Sequence, residues 1–133
     1  MIDPTIARLV GAPFADFGRG PESFDCYGIV IEGARAMGLE LPDYGSAASH
    51  LWREIGKRAE DRRAMFERIP MGETRRGDIV AFHTRVEGIV DHLGLMVSRF
   101  DFLHATRATG GQICSLGHPA WGAMVEGVYR WRG

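Results

Sequence analysis

The stretch from Asp25 to Gly38 reads DCYGIVIEGARAMG and decides the fold of the first half of the chain. Its apolar residues recur at helical spacing, so the stretch predicts an amphipathic helix. Asp25 is a favourable N-cap because its carboxylate can accept hydrogen bonds from the free amides of the first turn, and Gly38 is typical of the position after a last turn. The helix is therefore expected to begin at Cys26, which places a thiol at a helix N-terminus.

Short runs of strand-forming residues dominate the second half of the chain. Strands are predicted at 78–82, 92–97, 102–105, 112–115 and 125–131. Ser98 to Asp101 is expected to form the turn of a hairpin between the second and third of these. Helices followed by antiparallel strands indicate an α+β fold. The length of 133 residues and the 45% hydrophobic content fit a single domain over residues 1–133.

Further helices are expected on either side of this first stretch. Asp3 followed by Pro4 is typical of a helix start, and Gly11 of its end. Residues from Ser46 to about Ile69 carry apolar and charged positions at helical spacing and predict one helix or two. We interpret the charged side of this segment as a solvated face.

The overall charge and the hydropathy exclude several classes of protein. Sixteen basic and seventeen acidic residues give a net charge of -1, so no general attraction for nucleic acid or anionic membranes is expected. No apolar run reaches the ~18 residues that a membrane-spanning helix needs. The N-terminus has no basic segment before an apolar core, which predicts synthesis in the cytoplasm without a signal peptide and no membrane insertion.

The two cysteines are too few for a disulfide framework. One bridge between Cys26 and Cys114 stays open on sequence grounds. Their different surroundings favour one reactive thiol at Cys26 and a packed thiol at Cys114, which lies between Ile113 and other apolar neighbours.

Cys26, His92 and His104 could together form a thiol-based catalytic site. A helix N-terminus favours the thiolate, which is the nucleophilic form of cysteine. Such a nucleophile also needs an imidazole base and a group that holds that base in one tautomer. If the hairpin turn centres on Ser98, then His92 and His104 lie opposite each other on one face of the sheet. Asp91 is expected on the opposite face and is therefore the weaker candidate for the orienting group.

Other uses of these residues remain open from the sequence. A cysteine in an apolar helix is often only a small buried side chain, and a strand histidine is often structural. Zinc binding is disfavoured because the chain lacks closely spaced ligand pairs, so no metal is expected. The Gly18-Arg19-Gly20 segment does not follow a strand and lacks the Lys-Ser/Thr pair of a phosphate-binding loop.

Four segments, taken in order, resemble the NlpC/p60-type cell-wall cysteine peptidases. These segments are Phe24-Asp25-Cys26-Tyr27-Gly28-Ile29-Val30, Gly77-Asp78-Ile79-Val80-Ala81-Phe82, His92-Leu93-Gly94-Leu95-Met96-Val97 and Phe102-Leu103-His104-Ala105. The step from His92 to His104 matches the spacing between base and orienting residue in the family. With Ile6 to Pro13 included, the likeness spans nearly the whole chain.

The resemblance implies a permuted papain-like fold, in which the helix with the nucleophile packs on an antiparallel sheet. It implies Cys26 as nucleophile, His92 as base and then acid, and His104 as orienting residue, without a cofactor or metal. The implied reaction is cleavage of peptidoglycan stem peptides between D-glutamate, through its γ-carboxyl, and a diamino acid. The amide of Cys26 is expected to donate to the oxyanion, and Phe14, Asp25 and Tyr27 to line the same pocket.

Two positions differ from many members of the family. Phe14 stands where they have a tyrosine, and Tyr27 where they have a serine. Tyr27 and the Gly18-Arg19-Gly20-Pro21 segment are similar to the branch found in phage tails and gene transfer particles. The resemblance thus implies tail proteins as partners and a tail that carries the enzyme to the wall. A structural tail-tip subunit with weak or no activity and a cytosolic muropeptide amidase are the alternatives.

Overall fold

The structure is a computed structural model that describes residues 3–43 and 66–133. Its helices are α1 (Pro4–Leu9), α2 (Cys26–Ala36) and α3 (Pro119–Gly122), with a 3-10 turn at Met71–Glu73. Its strands are β1 (Phe66–Ile69), β2 (Ile79–Phe82), β3 (His92–Met96), β4 (Asp101–Thr106), β5 (Gly110–Ser115) and β6 (Val125–Trp131). The predicted α+β class is confirmed. Within the described ranges, no helix is long and apolar enough to cross a membrane.

All six strands belong to one sheet in the order β1-β6-β2-β3-β4-β5. Every neighbouring pair is antiparallel, as the helices-then-strands pattern predicts. The two glycines 110 and 111, expected to precede β5, are its first two residues. The central position of β3 between β2 and β4 matters most for the site, because β3 and β4 carry the two candidate histidines.

The sheet has a separate apolar core on each face. On one face α1 and α2 pack on residues such as Leu93, Leu95 and Leu103. The other face holds a smaller core that includes Phe82, Met96 and Phe102 and is covered in part by residues of the β5–β6 connection. Side chains alternate between faces along a strand, so neighbouring residues on β3 and β4 belong to different cores.

Both predicted helix starts are confirmed by capping hydrogen bonds. The amide of Thr5 donates to the Asp3 carboxylate at 2.7 Å, and the amide of Gly28 donates to Asp25 Oδ1 at 2.6 Å. Each helix is followed by a glycine with a left-handed backbone, Gly11 at φ +86° and Gly38 at φ +81°. The first turn of α2 is thus fixed by the residue directly before Cys26.

The loop between α1 and α2 lies directly against the start of α2. The carbonyl of Gly18 accepts the amide of Asp25 at 3.1 Å. A Cβ on Gly28 would lie only 2.0 Å from this carbonyl oxygen. The absence of a side chain at Gly28 therefore allows the loop to reach the cap of the helix that carries Cys26.

The predicted helix from Ser46 to about Ile69 is wrong at its end. Phe66 to Ile69 form β1, which pairs with β6 in the register Phe66↔Trp131 to Ile69↔Val128. The Phe66 and Trp131 rings pack at 4.8 Å between centroids. Pairing with a strand about sixty residues away overrides the local helical pattern. Residues 44–65, which hold the rest of that prediction, lie outside the described part of the chain.

The hairpin from β3 to β4 has the predicted turn but a different register. Leu95 pairs with Leu103 and Met96 with Phe102, so the turn centres on position 99 and not on Ser98. His104 is then displaced by two residues from the position opposite His92. A shift of two residues keeps the face of every side chain, so both histidines still lie on the same face of the sheet.

Replacing Gly28 by alanine should destabilise the protein although alanine favours helix formation. The new methyl group collides with the Gly18 carbonyl, and overpacking of this kind costs about 1–3 kcal/mol of unfolding free energy. Urea unfolding followed by circular dichroism measures the change. Gly72→Ala is the control, because nothing lies within 4 Å of that Cβ position and its stability should stay within about 0.5 kcal/mol of wild type. A Gly28→Ala variant as stable as wild type would contradict the close packing of the loop.

Candidate active site

Cys26 is the first residue of α2, as predicted, and its side chain is largely enclosed. Burial and the neighbouring Asp25 carboxylate raise the pKa of the Cys26 thiol to about 11. Backbone amides near the sulfur, those of Leu93, Tyr27 and Cys26 itself, oppose this rise in pKa. The helix N-terminus was expected to favour the thiolate, but loss of solvent outweighs it. In the resting protein Cys26 is therefore an uncharged thiol.

The position of α2 on the sheet brings Cys26 to the start of β3. Gly33 on α2 lies against Leu95 and Leu103, where a Cβ would come within 2.7 and 3.0 Å of their methyl groups. The backbone amide of Leu93, the residue directly after His92, lies close enough to Cys26 sulfur to lower its pKa. No hydrogen bond links Cys26 sulfur to the His92 ring within residues 3–43 and 66–133, and such contacts often tighten only when substrate binds.

His92 and His104 form a direct hydrogen bond, with His92 Nε2 2.9 Å from His104 Nδ1. His92 is the first residue of β3, and His104 lies within β4 and is completely buried. The contact occupies Nε2 of His92 and leaves its Nδ1 for another partner. A base and an orienting residue require such a contact, and the roles of His92 as base and His104 as orienting residue stay predictions.

Aromatic rings surround the two imidazoles. Trp121, on α3, stacks on His92 at 5.9 Å between centroids and meets His104 edge-on at 4.7 Å. Phe82 lies 5.7 Å from His92, and Phe102 lies 4.9 Å from His104. Burial lowers the pKa of His92 to about 4 and that of His104 to about 3. Both rings are therefore neutral at neutral pH, which is the form in which a histidine can accept a proton.

Asp91 has another role, as the predicted strand alternation suggests. Its carboxylate accepts the amide and hydroxyl of Thr84, at 2.9 and 2.7 Å, and Nε of Arg85 at 3.2 Å. Burial alone would raise the pKa of Asp91. These hydrogen bonds outweigh burial and lower that pKa below its ordinary value. The carboxylate oxygens of Asp91 thus bind residues of the β2–β3 loop. The side chain that hydrogen bonds to His92 is that of His104.

Asp25 contributes to the site through its charge and its hydrogen bonds. Oδ1 accepts the Gly28 amide and also Nη1 of Arg19 at 2.7 Å. Arg19 in turn donates to both carboxylate oxygens of Asp43, at 2.7 and 3.1 Å. Oδ2 of Asp25 is buried without a hydrogen-bond partner among the described residues. Asp25 thus fixes the start of α2 and raises the pKa of the adjacent thiol.

Tyr27 and Phe14, predicted to line the substrate pocket, lie in different surroundings. The Tyr27 side chain is only 1% exposed, and its hydroxyl donates to the carbonyl of Pro42. Phe14 is half-buried in a bridge to Phe24, and the Arg107 guanidinium lies 5.0 Å from its ring centroid. The Tyr27 side chain is therefore a core residue. A pocket role for Phe14 stays a prediction.

The sequence predicts Cys114 as a packed thiol, and the structure shows that its sulfur also contacts polar groups. Its sulfur lies 3.3 Å from His104 Nε2 and 3.5 Å from Gln112 Oε1. Both cysteines are free thiols. The sequence did not predict the contact between Cys114 and His104 or the packing of Trp121 against both histidines. The alternation of side chains along β4 and β5 could have indicated that Cys114 shares a face with His104, because the positions on that face are 102, 104, 112 and 114. No local sequence pattern places Trp121 over the histidines.

A cleft of about 320 Å³ opens beside His92 and Trp121. Its other walls are Thr84, Arg85 and Asp91 on the β2–β3 loop, with Thr106 at the end of β4. The Arg85 side chain is 83% exposed, so its charge is accessible to a ligand in the cleft even though Nε donates to Asp91. A ligand bound in this cleft would lie against the His92 ring.

The two other histidines in the described ranges lie at turns. His83 Nδ1 accepts the Gly88 amide at 3.1 Å, and His118 Nδ1 accepts the Ala120 amide at 3.2 Å, so both cap turns. His50 lies outside the described ranges. Within those ranges, no three potential ligand residues are grouped so that they could hold a metal ion.

Two curated proteins are similar to nearly the whole chain. It is 26% identical over 125 residues to the Gamma-DL-glutamyl hydrolase of Bacillus subtilis, covering 92% of this chain and 27% of the relative. It is 28% identical over 129 residues to the Murein DD-endopeptidase MepH of Escherichia coli, covering 94% of this chain and 43% of the relative. The chain thus spans less than half the length of either relative.

A solved structure and a family model agree with this likeness. An NLP/P60-family lipoprotein-like protein from Staphylococcus aureus superposes with a TM-score of 0.69 at 23% identity, over 97% of this chain and 39% of the other. Its likeness supports the shared α+β fold. The model of the NlpC/P60 family matches residues 11–130, which include Cys26, His92 and His104. The chain therefore belongs to the NlpC/P60 family.

Proposed function

We propose that the chain is a cysteine endopeptidase of the bacterial cell wall that cleaves peptidoglycan stem peptides between D-glutamate, at its γ-carboxyl, and a diamino acid. The observation that carries the proposal is the hydrogen bond that joins His104 to His92, the residue directly before Leu93, whose backbone amide lies near the sulfur of Cys26 at the start of α2. Family membership supports a cysteine peptidase. The names of the two relatives, a γ-glutamyl hydrolase and a murein endopeptidase, support the substrate class.

The geometry supports a two-step acyl transfer. Nδ1 of His92 takes the proton from Cys26 as the sulfur attacks the γ-carbonyl carbon, and the amide of Cys26 donates to the oxyanion that forms. The tetrahedral intermediate collapses when the imidazolium gives its proton to the leaving amine, which leaves a Cys26 thioester. Water then attacks the thioester with His92 again as base, and the free γ-carboxylate and the thiol are regenerated. His104 holds the Nε2 proton of His92 throughout.

The uncharged resting states of Cys26 and His92 suit this sequence of steps. Because burial raises the pKa of Cys26 and lowers that of His92, both groups are uncharged before substrate arrives. Proton transfer then accompanies attack on the carbonyl, where the charge that develops is met by hydrogen-bond donors and not by water. The exposed Arg85 in the adjacent cleft offers a positive charge for a carboxylate of the stem peptide.

The proposal includes delivery by a phage tail or a tail-like particle. It is supported by the likeness of Tyr27 and the Gly18–Pro21 segment to the tail-associated branch. Mass spectrometry of purified particles would detect the chain if it travels with them. Presence only in the cytosol, with activity on soluble muropeptides, would instead favour a muropeptide amidase.

Purified sacculi and defined muropeptides should be cut by the wild-type protein at the D-glutamyl to diamino-acid bond. Cys26→Ala should abolish the product, and His92→Ala should lower kcat/KM by about 10² to 10⁴, the contribution of a general base. His83→Ala is the matched control and should retain activity, since His83 Nδ1 accepts the Gly88 amide and, among the described residues, makes no hydrogen bond to Cys26, His92 or His104. Mass spectrometry identifies the bond through the new amino group on the diamino acid.

Two results would contradict the proposal in different ways. Release of fragments only at D,D cross-links would show a different bond specificity. No product from folded wild-type protein would favour a structural tail-tip subunit, and Phe14→Tyr would then test whether the missing hydroxyl is the cause.

The pH dependence of kcat/KM should reflect the lowered pKa of His92. Protonation of His92 removes the base, so the acid limb is expected near the pKa of about 4 and not near the usual 6.5 of histidine. Activity measured between pH 4 and 9 should therefore stay nearly constant from pH 9 down to about 6. Full recovery after return to pH 7 is the control for acid unfolding. A half-maximal point at pH 6.5 or above would show that the imidazole is not buried as described.

A further inference from the structure

We infer that Cys114 is a positioning residue of the active site, whose sulfur holds His104 in the one tautomer that lets His92 act as a base. The inference rests on the proposed function for its catalytic consequence. Its structural basis is a chain of hydrogen bonds that runs from His92 through His104 and Cys114 to Gln112, with the donor on the same side of every bond.

The direction of this chain follows from what His92 must do. Its Nδ1 has to be free of a proton to accept one from Cys26, so its proton lies on Nε2. That proton is donated to His104 Nδ1, 2.9 Å away. His104 is completely buried and burial lowers its pKa, so the ring is neutral and carries a single proton. Since Nδ1 is the acceptor, the proton of His104 must lie on Nε2.

Cys114 supplies the acceptor for this second proton. It pairs with Phe102 on β4, and its sulfur lies 3.3 Å from His104 Nε2. The S–H group of Cys114 donates to Gln112 Oε1 at 3.5 Å, which leaves the sulfur lone pairs for His104. Burial raises the pKa of Cys114, so the thiol keeps its proton at neutral pH. Every step of the chain thus has one donor and one acceptor.

The opposite direction would disable the base. If Cys114 donated to His104 Nε2, the His104 proton would move to Nδ1 and be donated to His92 Nε2. His92 would then carry its own proton on Nδ1, where the thiol proton must go. Directly across from His104 on β5, Gln112 favours the working direction because its carbonyl oxygen engages the S–H group. The direction of the hydrogen bond between Cys114 and His104 therefore decides whether His92 can accept the proton of Cys26.

Long-range ¹H–¹⁵N correlation spectra of the histidine rings test the chain without any substrate. Wild type should show His104 protonated at Nε2 and bare at Nδ1, with the resonances assigned by comparison with His104→Asn. Cys114→Ala should give exchange between both His104 tautomers, whereas Cys114→Ser, which keeps a donor and an acceptor, should restore the wild-type pattern. Ser115→Ala is the control on the same strand, because its hydroxyl accepts the Gly117 amide and, among the described residues, makes no hydrogen bond to the histidines or Cys114.

Kinetics test the consequence for catalysis. Cys114→Ala should lower kcat about two- to twelve-fold with little change in KM, as expected for the loss of one hydrogen bond, and Cys114→Ser should recover most of it. The alkylation rate of Cys26 by iodoacetamide, read from its peptide by mass spectrometry, reports the same base without a wall substrate. It should fall in Cys114→Ala and stay unchanged in Ser115→Ala.

The outcomes separate this inference from the proposed function. A wild-type His104 protonated at Nδ1, or an alanine variant with unchanged tautomer and unchanged Cys26 alkylation, would overturn the inference. If the tautomer and alkylation results are as expected but no wall substrate is cut, the positioning role stands and the proposed activity fails.

Discussion

The candidate site depends on the hydrogen bond between His92 and His104. It forms because β3 and β4 pair in a register that keeps both residues on one face of the sheet, and because Trp121 and two phenylalanines pack around the rings. A hydrogen bond in such surroundings is stronger than in water and fixes the orientation of both imidazoles. Without it, the neutral His92 ring would have no group to select its tautomer.

Burial also determines the charge state of Cys26. A helix N-terminus and three backbone amides favour the thiolate of Cys26, while desolvation and the Asp25 carboxylate disfavour it more strongly. The resting protein therefore holds Cys26 as an uncharged thiol and His92 as an uncharged imidazole. Reactivity is then coupled to substrate binding, since the stabilising groups act on the charge that appears during attack. Asp25 takes part in both effects, as it caps α2 and raises the pKa of the thiol.

Much of this arrangement follows from local patterns in the chain. The Asp25 cap, the start of α2 at Cys26 and the shared face of His92 and His104 were predictable, because capping chemistry and strand alternation are short-range rules. The hairpin register differed by two residues, yet the face was preserved because side chains alternate with a period of two. The strand at Phe66–Ile69 was not predictable, since its pairing partner β6 is distant in sequence. Trp121 over the histidines likewise depends on tertiary packing alone.

The most direct measurement of the central claim is the mass of the intact protein during turnover of a defined muropeptide, quenched in acid. The account predicts a transient adduct equal to the fragment that ends at the D-glutamyl γ-carbonyl, attached to Cys26 as a thioester and absent from Cys26→Ala. Product formation by Cys26→Ala at the wild-type rate, or an adduct on Cys114, would contradict the assignment of Cys26 as the nucleophile.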